Sequence, residues 1–265
     1  METTMRHSRS KGSNSKIEDW SKDYEKKDNL HFFADALNAL SKARVGNGGL
    51  MVIGLVGSRD LPGVTLRQAQ SILRWDIRPS LWSHAFLIAS RVSSASGVPR
   101  AKTFGVSVHS RTAEFPSPEC NGVSSGTLKL YQDPKVDANV GLFAVNMTDE
   151  EAAQVAYRAA HQNLDRQRYN LWESLGVWQG FLWSFGVRPN PLREGFPIPS
   201  ASFVEYCYEG IGLDLTPGAS ERNSAPEHIY NAAKYWHEAF KTQQRSVTGY
   251  YVLRDKGASL MSAED

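Results

Sequence analysis

Apolar side chains along the chain fall into two rhythms. Between 29 and 45 they recur three and four positions apart, at Leu30, Phe33, Ala34, Leu37 and Leu40, which predicts an amphipathic helix. The stretch 48–57, GGLMVIGLVG, is almost wholly apolar and reads as a buried strand or a glycine-rich loop. GSRDLPG then supplies turn chemistry, and Thr65 with Gln68 forms a capping pair for a helix whose face is Leu66, Ala69, Ile72 and Leu73. From 81 to 92 the rhythm changes to two. Trp82, His84, Phe86 and Ile88 share one side of a strand, and Ser83, Ala85, Leu87 and Ala89 the other.

A second strand is expected at 103–110, antiparallel to the first, followed by a long loop at 111–126 and a third strand at 139–147. Thr148 and Glu151 form a capping box for the helix TDEEAAQVAYRAAHQNL. The stretch 171–187 is apolar and aromatic nearly all round, as helix packing requires. A cleft wall, an acyl-chain site and a membrane contact are its alternatives. A last strand is expected at 249–255. Together these elements predict an α+β fold, with a central antiparallel sheet and flanking helices. Residues 1–28 are polar and Ser/Lys-rich, so they read as a disordered or loosely attached arm. Residues 29–265 read as a single domain.

Composition narrows the classes. Of 265 residues, 41% are hydrophobic and 22% charged, ordinary values for a globular protein with a real core. A net charge of +2 gives no electrostatic case for nucleic acid. The longest apolar run, 49–57, is too short for a transmembrane segment. The N-terminus lacks the apolar region of a secretory signal. Cys120 and Cys207 make no disulfide framework. The expectation is a cytoplasmic protein in the cell that makes it, reaching any other compartment by a signal-independent route. No cofactor or metal is expected. His161, His228 and His237 lack ligand spacing, and Cys120 has no C-x-x-C partner.

Candidate chemistry concentrates in PSASFVEYCYEGIGLDLTPG, residues 199–218. Phe203, Val204, Cys207, Tyr208 and Ile211 form the buried stripe of a helix beginning near Ser200. Cys207 lies about 10 Å further along the axis, and a thiol inside an apolar stripe is inert. Ser200 stands where backbone N–H groups are unpaired and the helix end is partly positive. There it serves as a cap or as a nucleophile whose oxyanion the backbone amides stabilise.

WSHAFLI, then Gly122, Val123, Leu128 and Tyr131, then Tyr169, SASFVEYCYEGIGLDLTPG and SAPEHIYNAAKYW resemble the circularly permuted branch of the NlpC-type papain-like cysteine peptidases and amidases. More distantly they resemble lecithin retinol acyltransferase-like enzymes. The resemblance covers about 48–240 and implies a permuted papain-like fold. It implies a hydrolase that cleaves an amide bond, in a peptide or peptidoglycan-type substrate, through an acyl-enzyme. An acyltransferase or lipid-ester hydrolase on an acylated substrate, and a binding module for a peptide or protein partner, are the alternatives. The family's nucleophilic cysteine falls on Ser200 and its base on His84. His109 is the choice for the third member, with Ser107 and Glu119 as alternatives. Tyr169 assists the oxyanion or lines the groove, and the amides around Ala201 and Ser202 form the oxyanion hole. Serine in place of cysteine leaves three readings open: an introduced Cys→Ser substitution that inactivates the enzyme, a natural serine variant, or a fold that only binds.

Overall fold

The computed structural model describes residues 16–43, 51–71, 78–88, 95–106, 123–164, 200–217, 224–239 and 247–257. The strands are β1 (Ile17–Asp19), β2 (Val52–Ser58), β3 (His84–Ile88), β4 (Lys102–Val106), β5 (Val123–Thr127), β6 (Asp137–Val145) and β7 (Val247–Leu253). The helices are α1 (Ser21–Tyr24), α2 (Asn29–Ala43), α3 (Leu61–Ala69), α4 (Asp149–Leu164), α5 (Ser200–Glu209) and α6 (Pro226–Ala239). The fold is mixed α+β. The strands form one sheet in the order β1-β7-β6-β2-β3-β4-β5. β1 joins β7 in parallel, and the other neighbours are antiparallel.

The period-two rhythm divides the sheet into two packed faces. Val52, Val56, Phe86, Ile88, Val140, Leu142 and Tyr250 meet Phe32, Phe33, Ala36, Leu37 and Leu40 of α2. Ile53, Leu55, Ala85, Leu87, Phe143 and Val145 point the other way and pack under α4, α5 and α6. β2, β3 and β6 are buried along their whole length, which is why their sequences are so continuously apolar. Gly54 lets the Phe86 ring lie across β2, since a Cβ there would sit 2.1 Å from Phe86 Cζ.

Several expectations change. Residues 16–28 are not a loose arm. β1 extends the sheet, the Trp20 amide donates to Tyr251 O at 2.8 Å, and the Trp20 ring lies 4.3 Å from that of Tyr250. Few apolar residues sufficed because the few present are aromatic. α3 begins at Leu61, not at Thr65. Asp60 caps it by accepting the Gly63 amide at 3.0 Å, with a proline in the first turn. Thr65 bonds back to Leu61 O inside the helix. Trp82 does not share a face with His84. It packs on the α5 side against Tyr230, because regular β3 pairing starts only at His84. The capping box of α4 forms as expected, Thr148 N to Glu151 Oε2 at 2.9 Å and Glu151 N to Thr148 Oγ1 at 3.1 Å. The aromatic stretch 171–187 lies outside the described residues. Among those described, no helix is long and apolar enough to cross a membrane.

Candidate functional site

α5 presses its stripe of Phe203, Val204, Cys207 and Tyr208, all fully buried, onto β3 and β4. The helix ends in a turn at Gly212, whose φ of 69° suits glycine. That packing sets Ser200, the first residue of α5, beside the start of β3. The Ala85 amide donates to Ser200 Oγ at 3.3 Å. The hydroxyl is thereby tied to the backbone of the residue after His84. α5 brings a helix start here, where backbone N–H groups lack intrahelical partners and the dipole is partly positive.

His84, 7% exposed, opens β3. Its Nε2 lies 3.0 Å from Tyr131 Oη. Its ring stacks at 6.1 Å on Phe86, which stacks at 4.4 Å on Tyr131. Gly105 on β4 borders the imidazole: a Cβ there would be in ordinary contact with His84 Nε2 at 3.4 Å and tight against Phe86 Cβ at 3.1 Å. Tyr131 closes a short 3-10 turn, Leu128–Tyr131, anchored where Asn29 Nδ2 donates to Tyr131 O at 3.0 Å. If the phenol donates, Nε2 accepts and the imidazole proton sits on Nδ1. The ring thus shares the α2 side of the sheet with Phe86, while α5 covers the other side. Ser200 and His84 meet at one end of β3 from opposite faces.

The segment leading into β3 is pinned by buried polar groups. Arg67, fully buried, donates to Ser80 O at 2.6 Å and to Asp255 Oδ2 at 2.9 Å. Ser80 Oγ donates to Glu227 Oε2 and accepts the Trp82 amide at 3.0 Å. On α5, Glu205 accepts from Ser224 Oγ, which meets Thr216 Oγ1 at 2.8 Å.

Cys207 is buried, and burial pushes its thiol up to about 12, as an unreactive core cysteine requires. Ala201 and Ser202 lie in the first turn of α5, both fully buried. His161 is exposed on α4. His228 and His237 sit on α6, where His228 Nδ1 accepts the Ala225 amide at 3.2 Å and burial lowers its pKa to about 4. Ser107, His109, Glu119, Cys120, Gly122 and Tyr169 lie outside the described residues. The structure therefore brings together Ser200, the His84 strand and Tyr131. Sequence reasoning used Tyr131 only as part of a motif and assigned it no role. No protein-family model, curated protein or solved structure matches the chain.

Proposed function

We propose that the chain is a papain-like hydrolase of permuted order that cleaves an amide bond through an acyl-enzyme on residue 200. The carrying observation is the hydrogen bond from the Ala85 amide to Ser200 Oγ. It fixes a nucleophile-type hydroxyl at a helix start and one residue from a histidine. In this reading His84 takes the proton from residue 200 as Oγ attacks the carbonyl carbon. The first-turn amides of α5 receive the oxyanion. The imidazolium then protonates the leaving amine, and water releases the acyl group by the reverse path. Tyr131 is a positioning residue that holds the ring and its tautomer. A serine hydroxyl is a weaker nucleophile than a thiolate, so Ser200→Cys raises reactivity. The substrate class is a peptide or peptidoglycan-type amide, met in the cytoplasm of the producing cell or after delivery elsewhere.

A binding module on the same fold is the second reading, and one observation favours it. The His84 ring is engaged by Tyr131 on the α2 side, away from the face that α5 covers. The enzyme reading requires the ring to turn about its side-chain torsions toward residue 200. The test is covalent labelling of Ser200→Cys, in a Cys120→Ser background, by a peptidyl acyloxymethyl ketone, with the modified residue located by peptide mass spectrometry. Labelling at 200 that His84→Ala abolishes supports the hydrolase. Absent labelling, or labelling indifferent to His84→Ala, leaves the binding module.

A further inference from the structure

α5 meets β3 where the pairing of the strand changes. β3 pairs with β2 along its whole length, from Ile88 opposite Val52 to His84 opposite Val56. Among the described residues its pairing with β4 covers only Phe86↔Gly105, Leu87↔Phe104 and Ile88↔Thr103. β4 itself runs on to Val106, which pairs with Val123 of β5. One more step of the β3–β4 ladder would set Ala85 opposite Val106. The ladder stops short of that step, and the Ala85 amide donates instead to Ser200 Oγ at 3.3 Å. A strand amide has exchanged a sheet partner for a side chain on the helix above it.

The exchange has a chemical consequence. Ala85 is 0% exposed and Ser200 is partly buried, so water competes little for this amide. A backbone N–H can only donate. Toward a neutral hydroxyl it makes an ordinary bond, and toward an anion a bond about twice as strong. A donor that binds the charged form better than the neutral one lowers the pKa of the group it faces, and a low local dielectric enlarges the difference. The Ala85 amide therefore favours an alkoxide at Ser200, and a thiolate in Ser200→Cys. It needs no movement to do so, whereas the His84 ring is engaged by Tyr131 Oη at 3.0 Å.

We propose that the Ala85 backbone amide, released from the β3–β4 ladder, is a fixed donor to the anion of residue 200. One strand then supplies two functions from neighbouring positions, the base at 84 and the anion donor at 85. This inference rests on residue 200 being the nucleophile. The other titratable side chains on the elements that meet here are Glu205, Tyr206, Cys207 and Tyr208 of α5 and Lys102 of β4. A change confined to the backbone separates the amide from all of them and from His84.

The experiment uses the full chain carrying Ser200→Cys and Cys120→Ser. The labelling rate of a peptidyl acyloxymethyl ketone against pH gives the midpoint at which the thiol at position 200 ionises. L-lactate placed at position 85 by nonsense suppression turns the amide into an ester and removes its N–H. The midpoint should rise by about one pH unit, the difference between a charged and a neutral hydrogen bond, and by the same amount with His84→Ala added. The corresponding ester at Leu87, inside the β3–β4 ladder, should leave the midpoint in place. In the chain with an intact backbone and isotope-labelled alanine, the Ala85 amide proton should move downfield with the same midpoint. This reading decides alone if the ester chain does not fold. A midpoint unmoved by the ester at 85, or moved as far by the ester at 87, would overturn the proposal and leave the nucleophile standing. So would an Ala85 amide proton that does not titrate with the thiol. If the ketone labels position 200 at no pH, the nucleophile reading fails and the amide donor with it.

Discussion

Arg67→Met should be among the most damaging single changes outside the candidate site. The guanidinium has no exposed surface. It donates to Asp255 Oδ2 at 2.9 Å, Ser80 O at 2.6 Å, Ser58 O at 3.4 Å and Gly257 O at 3.2 Å. Methionine fills part of the volume but supplies no donor. Asp255, 8% exposed, keeps Arg59 Nε at 3.5 Å and the Gly257 amide at 2.9 Å, which offset only part of the loss. Removing one partner of a buried ion pair costs about 3–5 kcal/mol, a large share of a stability of roughly 5–15 kcal/mol. The expected fall in melting temperature is about 10 °C. Urea titration followed by tryptophan fluorescence measures it as a lower midpoint at unchanged slope. Asp255→Asn in the same chain removes the stranded charge, so the double variant should lose at least about 1 kcal/mol less than the sum of the singles. A single variant that loses under about 1 kcal/mol, or strictly additive losses, would refute this. The consequence reaches the site, because Arg67 holds the Ser80 carbonyl four residues before His84.

Gly54→Ala places a Cβ 2.1 Å from Phe86 Cζ and should cost about 1–3 kcal/mol by overpacking; Phe86→Leu in the same chain should recover part of it in the same titration. Cys207, its thiol raised by burial to about 12, should resist a thiol reagent at pH 8 in a Cys120→Ser chain and react at once in denaturant. His228 is partly buried, and desolvation lowers its pKa to about 4 from an unfolded value of about 6.5. Between those values the unfolded chain binds more protons, so this contribution is complete above about pH 6.5 and is lost as pH falls toward 4. The slope is at most about 1.4 kcal/mol per pH unit. Urea midpoints at pH 7 and pH 5 should differ, and less so in His228→Gln.

Where local pattern and burial agree, the sequence was a good guide. The all-apolar runs of β2 and β6, the alternation through His84, Phe86 and Ile88, and the capping box at Thr148 carry their structure in residues that are neighbours along the chain. The stripe of α5, and the idleness of Cys207 within it, follow from helical spacing in the same way. What could not be read depends on distant partners. Arg67 and Glu227 look like surface residues until Asp255 and Ser80 arrive from elsewhere in the chain. Tyr131 gains its contact with His84 only when the 3-10 turn packs beside β3. Gln162 looks like one more polar residue on α4, yet the fold buries it. Trp82 broke its expected alternation because a strand's rhythm stops where its pairing stops. Ser200 and His84 were both picked out as candidates. Their approach from opposite faces of β3 is a property of the sheet that no local spacing encodes.

The central claim, that His84 serves residue 200, is tested most directly by the pH profile of acyloxymethyl ketone labelling in Ser200→Cys. A thiol paired with a histidine at a helix start ionises well below the free value of about 8.5. Labelling should therefore persist at pH 6, and in Ser200→Cys with His84→Ala it should fall away below about pH 8. Identical profiles for the two chains, each rising only near the free thiol value, would contradict the account.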